Sequence, residues 1–251
     1  MNALLKITAE NIKHEHICCA ISDKKCASGY EAKKDWIKNQ LDDGFVFNKL
    51  DVRGKVFIEY VPAEKAWVPV EAPGYMMINC FWVSGQYKGQ GHGKALFEAC
   101  LNDSKGMNGI VAVSSTKKQP FLSDKGFFIN QGFIKCDEAA PWFEMYYLPL
   151  NTNAPLPHFK ECAKNAKSDI TDGLSVYYTY ACPFTDFYVK ELEHIAKEKS
   201  LAITIIPITS REQAQRHFVP HTIYSVFYNG QFVTQHILNE NYFEKFITPL
   251  L

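Results

Sequence analysis

The chain of 251 residues is 47% hydrophobic and 22% charged, which excludes a disordered polypeptide and leaves room for one large domain or two smaller ones. Lys plus Arg and Asp plus Glu number 27 each, so no excess charge drives sequence-independent binding, and neither nucleic acid nor membrane is expected as a partner. No signal-peptide core and no run of about 18 apolar residues occurs.

Eight cysteines are scattered along the chain without a Cys-x-x-Cys pair. They are expected as reduced thiols in the cytoplasm, with no metal site. Periodicity predicts a strand near Leu4 to Thr8 and helices over Ala9 to Cys19 and Tyr30 to Leu41, the second with Lys33, Lys34 and Asp35 toward solvent. Strands are expected over Phe45 to Val52 and Lys55 to Val61, joined at Arg53-Gly54, and then over Tyr75 to Val83. Beyond them come a helix from Gly93 to Ser104, a buried strand from Gly109 to Ser115, a helix around Phe121 to Gln131 and strands at Phe133 to Cys136 and Phe143 to Leu148.

Asn151 to Asp169 changes character, with two prolines and no clear strand, and reads as a linker or a strap. A second unit is expected from about Thr171, with strands at Leu174 to Tyr180 and Leu201 to Ile206 and helices at Phe184 to Glu198 and Arg211 to Phe218. A hairpin over Ile223 to His236 and a helix over Glu240 to Ile247 complete it. Ser210 with Gln213 makes a capping box, and Asn229-Gly230 makes a type I′ hairpin turn.

The most informative stretch is Met76 to Leu101, MMINCFWVSGQYKGQGHGKALFEACL, in which a strand enters a glycine-rich turn and then an amphipathic helix. Gly89, Gly91 and Gly93 let the main chain approach a ligand, and the helix start offers unpaired N–H groups and a positive dipole end, so an anion belongs there. The spacing fits neither the P-loop nor the dinucleotide fingerprint. It resembles the acetyl-CoA loop of GNAT N-acetyltransferases, and the element order over residues 1–150 is what that fold would show. The resemblance implies that Phe81, Trp82 and Val83 pair with the pantetheine arm, and that Lys88, Gly89, Gln90, Gly91, His92, Gly93 and Lys94 hold the diphosphate of acetyl-CoA.

The family's usual proton donors do not carry over. Phe128 stands where many members have a tyrosine, and Met77, Asn79 and Phe81 are expected on one alternating face of the strand, with no glutamate among them. Glu59, Glu71 and Asp124 are the candidate carboxylates for proton transfer. In the second unit Cys182-Pro183-Phe184-Thr185 resembles the redox tetrapeptide of thioredoxin-like proteins with its second cysteine replaced. A thiol at a helix start is expected to have a lowered pKa, and Pro220 is a candidate for the cis-proline of such folds.

Together HICCAISDKK, VFIEYVPAEKAW, FWVSGQYKGQGHGKAL and the CPFT segment look like the YoaP family of acetyltransferases. The expected architecture is α/β (α+β): a GNAT acyl-CoA N-acyltransferase fold over 1–150, a linker over 151–170 and a small thioredoxin-like α/β domain over 171–251. The resemblance implies transfer of an acetyl group from acetyl-CoA to a primary amine of a small molecule or peptide. The alternative is a monothiol redox or thiol-transfer protein centred on Cys182 with a CoA-binding regulatory domain. Exposed strand edges of this fold admit a homodimer.

Overall fold

β-Rich runs and short turns build the first unit of the computed structural model, which describes residues 4–251. Its elements are β1 (Leu4–Lys6), α1 (Ala27–Gln40), β2 (Val46–Leu50), β3 (Val56–Pro62), β4 (Val70–Glu71), β5 (Tyr75–Val83), α2 (His92–Asp103), β6 (Gly109–Ser115), α3 (Lys125–Asn130), β7 (Ile134–Ala139), β8 (Phe143–Pro149) and β9 (His158–Phe159). β1, β2, β3, β5, β6, β8 and β7 form a seven-stranded sheet in that spatial order. Neighbours are antiparallel except β5 and β6, which run parallel.

One face of the sheet packs on α2 and α3, where Leu96, Phe97, Cys100 and Phe128 meet Val56, Ile58 and Ile78. The opposite face carries α1 and the C-terminal unit, and a single apolar cluster runs from Phe47, Phe57 and Met77 to Tyr177, Val219 and Phe227. Each large apolar side chain buried here contributes roughly 1.5–3 kcal/mol. The two units therefore share a core.

The C-terminal unit contains β10 (Leu174–Tyr178), α4 (Thr185–Glu198), β11 (Ile203–Pro207), α5 (Arg211–Ala214), β12 (Tyr224–Tyr228), β13 (Gln231–Thr234) and α6 (Glu240–Phe246). Its four-stranded sheet has the order β11-β10-β12-β13. The β10–β11 pair is parallel and the other two pairs are antiparallel. Asn229 and Gly230 both have positive φ, 47° and 76°, as a type I′ turn requires, and Ser210 with Gln213 forms the capping box. Arg211 pairs with Asp43 across the units, and Thr222 Oγ1 donates to the Trp67 carbonyl at 2.6 Å.

Several local expectations change in the folded chain. Residues 9–20 form turns instead of a helix. Asn11 Oδ1 accepts from the Thr8 amide at 2.8 Å, a local bond that competes with helix, and Cys18 and Ala20 take positive φ. The helix expected at Phe121 begins only at Lys125, because Phe121 has φ 61° and Asp124 caps the N-terminus. The helix expected to reach Phe218 ends at Ala214. Lys33 does not face solvent; with Gly29, Ile37 and Gln40 it lies on the buried stripe of α1. The Val219–Pro220 bond is trans, since the cis peptide bond among the described residues is Ala140–Pro141. The segment expected to link the units carries β9, which pairs with β4, and buries Phe159. No helix among the described residues is long and apolar enough to cross a membrane.

Burial pushes His217 down to about 3 and His221 down to about 4. Below their unfolded value of about 6.5 the unfolded chain binds protons that the folded chain refuses, so stability falls as pH drops from about 6.5 toward 4. Urea midpoints measured between pH 7 and 4.5 are expected to decline. His217→Gln, which keeps a hydrogen-bonding group opposite Ser225 Oγ without a titrating proton, should flatten that slope.

Candidate active site

The turn from β5 into α2 is held open by its glycines. Gly89 and Gly91 have φ of 75° and 81°, Gly91 is the N-cap of α2, and a Cβ at either position would meet nothing within 4 Å. The Tyr87 and Lys88 amides close a short turn on the Ser84 and Gly85 carbonyls, and the next amide with a main-chain acceptor is that of Ala95, bonded to Gly91. The N–H groups from Gly89 to Lys94 thus have no acceptor among the described residues. Such a row of free donors at the positive end of a helix, flanked by Lys88 and Lys94, fits a diphosphate.

Beside this loop the sheet splits. β5 and β6 pair from Tyr75↔Gly109 to Ile78↔Ala112, although the strands run on to Val83 and Ser115. The main chain from Asn79 to Val83 is consequently unpaired on its β6 side, while its other edge stays bonded to β3. A bulge marks the split, because Glu59 faces Cys80 and Tyr60 faces Ile78, leaving Asn79 as the extra residue. The bulge reverses the alternation expected for Met77, Asn79 and Phe81. Met77 and Cys80 pack into the core shared with the C-terminal unit, whereas Ile78, Phe81 and Val83 pack toward α2.

A cavity of about 430 Å³ borders this split, bounded by Asn79 to Trp82 of β5, by Lys118 to Ser123 after β6, and by Ala181 to Phe184 of the C-terminal unit. Glu59 and Lys33 line it as an ion pair at 2.5 Å, each side chain only 3% exposed. Burial works against the charge on Lys33, but the Glu59 carboxylate holds it above the usual lysine range. Burial in turn raises Glu59. Cys19, Cys80 and Cys182 line the same cavity, and burial raises all three thiols.

The sequence-predicted residues separate accordingly. Phe81 and Trp82 line the cavity, Val83 continues the same strand, and Lys88 to Lys94 form the donor row. Glu59 is in the cavity. Asp124 is not: it is exposed, and its Oδ1 accepts from the Gly126 amide at 2.8 Å as the cap of α3. Cys182 is in the cavity, but its thiol is pushed up to about 12, the reverse of the expected lowering. Desolvation outweighs the start of α4 three residues on. Cys162 is exposed elsewhere, with Sγ near the Gln215 carbonyl. Burial thus works against a thiolate at Cys182.

Sequence reasoning missed Lys33, Asn79 and Cys80. For Lys33 a signal existed, since it sits four residues after Gly29 and four before Ile37 on one helical stripe. Asn79 and Cys80 are reoriented by a bulge whose position only the pairing with β3 fixes.

An open strand edge feeding a cradle of free amides can take an extended chain along its edge and an anion at its end. Residues 10–133 match the model of the acetyltransferase (GNAT) family, and residues 202–245 match the model described as YoaP-like. The chain belongs to the GNAT family and is an N-acetyltransferase that uses acetyl-CoA. It is 44% identical over 250 residues to the protein of Bacillus subtilis (strain 168) named uncharacterized N-acetyltransferase YoaP, covering 98% of both chains. Among solved structures, a GNAT family acetyltransferase from Bacillus cereus ATCC 10987 is 17% identical, with 59% of this chain and 97% of that chain covered and a TM-score of 0.41. A GNAT family acetyltransferase from Brucella melitensis in complex with acetyl-CoA is 14% identical, with 62% and 92% covered and a TM-score of 0.38.

Two outcomes are expected. Gly91→Glu puts a carboxylate among the free amides and should weaken acetyl-CoA binding, measured by calorimetry, by about tenfold or more, the effect of 1.4 kcal/mol. Cys182 should alkylate more slowly than free cysteine at pH 7–8, read by mass spectrometry of iodoacetamide-treated protein, because the thiol stays protonated there.

Proposed function

We propose that the free amides from Gly89 to Lys94 hold the diphosphate of acetyl-CoA, that the unpaired edge from Asn79 to Val83 holds its pantetheine arm, and that a primary amine of a small molecule or peptide enters through the cavity. The observation that carries this reading is the end of β5–β6 pairing at Ile78↔Ala112, against which the cavity lies. When bound, acetyl-CoA supplies an acetyl thioester.

The chain's residues then have three tasks. The apolar cavity wall excludes water and favours the neutral, nucleophilic form of the amine. Main-chain N–H groups of the unpaired β5 edge receive the negative charge that develops on the carbonyl oxygen under attack. Glu59, raised by burial, takes the proton released as the amine nitrogen becomes an amide, and Lys33 fixes the carboxylate in place. The C–S bond breaks, and the departing thiolate is protonated from solvent.

The C-terminal unit closes the acceptor side in this reading, through Cys182, Pro183 and Phe184. Its β-α-β-α-β-β-α order and sheet arrangement support a thioredoxin-like classification. The boundaries at 150 and 171 are read from β8 ending at Pro149 and β10 beginning at Leu174. The unpaired state of the eight cysteines supports the cytoplasm as the compartment. The outer edge of β1, an edge strand of the large sheet, supports a homodimer, which sedimentation velocity tests.

The Lys33–Glu59 pair gives a test that separates catalysis from folding. Lys33→Met leaves Glu59 buried without its partner and should cost about 3–5 kcal/mol in denaturant unfolding, whereas Lys33→Met with Glu59→Leu should recover most of that loss. Acetyl transfer by the double variant is expected to stay lower by about 10²-fold or more despite the recovered stability. Full activity in the double variant would remove Glu59 from the mechanism.

A further inference from the structure

We infer that the acceptor is an aromatic primary amine carrying no second positive charge, an arylalkylamine, bound with its ring among the aromatic side chains of the cavity and its nitrogen beside Asn79. The inference rests on the acetyl-transfer reading and narrows its substrate.

Three observations carry it. The first is the wall, where Trp36, Phe57, Trp67, Phe81, Trp82 and Phe184 converge from α1, β3, the segment before β4, β5 and the C-terminal unit. Trp36 and Trp67 already meet edge to face at 5.6 Å. An aromatic ring gains both area burial and ring–ring contact in such a wall, whereas an extended polar chain would lose its hydration there. The cavity volume also lies within the roughly 300–1,000 Å³ range of small-molecule sites.

The second is charge. Lys33, Lys55 and Lys118 line the cavity against one carboxylate, that of Glu59, which Lys33 already engages. A polyamine or a lysine-rich peptide would bring further cations to a place with no carboxylate left to pair them. The proton released by the reacting amine is a single charge, and Glu59 suffices for it.

The third is a polar atom without a partner. Asn79 lines the cavity, and its Oδ1 is buried with no hydrogen-bond partner. It stands at the bulge where β5 leaves β6, so a half-turn of its side-chain amide would present Oδ1 to the cavity, where it can accept an N–H from a neutral amine and turn the nitrogen lone pair toward the thioester carbonyl. An unmatched acceptor rewards a ligand with an N–H at this point and disfavours one without it.

The test is steady-state acetyl transfer by the full-length chain from acetyl-CoA to tryptamine, 2-phenylethylamine, hexylamine, spermidine and a lysine-containing peptide. The aryl amines should exceed spermidine and the peptide in kcat/KM by about 10²-fold and exceed hexylamine by about tenfold, the scale set by pocket contacts. Trp67→Leu should raise KM for tryptamine without changing the calorimetric affinity for acetyl-CoA, and that unchanged affinity also reports a folded variant. Asn79→Ala should lower kcat/KM for tryptamine about tenfold. Acetyl-CoA binding with faster acetylation of spermidine or the peptide overturns this inference and leaves the transferase reading intact. Acetyl-CoA binding with no transfer to any of the amines also overturns it. Absence of acetyl-CoA binding overturns both.

Discussion

A sheet whose two central strands stop pairing halfway along leaves main-chain donors and acceptors exposed in its middle, which is costly unless something else satisfies them. In this chain the break follows Ile78↔Ala112, and the extra residue Asn79 on β5 sets it. Everything in the candidate site takes its position from that point. The unpaired edge leads to the glycine turn, the turn leads to the free amides at the start of α2, and the cavity fills the far side of the opening.

The C-terminal unit belongs to this arrangement and is not an appendage. A side chain at Gly29 of α1 would collide with the Pro183 carbonyl, so the absence of a Cβ there allows the helix that carries Lys33 to lie against the segment that carries Cys182. The shared apolar core, the Arg211–Asp43 pair and the Thr222–Trp67 bond hold the second unit over the cavity. The Cys182-Pro183-Phe184 segment thereby becomes part of the cavity wall, and burial raises the Cys182 thiol.

Much of the fold was legible because it depends on local pattern. β5 and β6 have the bounds that alternation and apolar run length predict, and the cap of α5 and the Asn229-Gly230 turn depend on residues within a few positions of one another. The errors share a different cause. The first helix was lost to Thr8–Asn11 bonding and to positive φ at Cys18 and Ala20. Asp124, a candidate carboxylate by sequence, caps α3 through the Gly126 amide two residues on.

The sequence by itself determined the loop of free amides, because glycines that permit positive φ, a helix start and a preceding strand are enough to create such a row. Only the tertiary structure decided the cavity. Glu59 comes from β3, Lys33 from α1, Asn79 from a bulge and Phe184 from the other unit, and no spacing in the chain encodes their meeting. Burial raises the Glu59 carboxyl and Glu59 in turn raises Lys33 against its own burial, and both effects belong to the packed molecule.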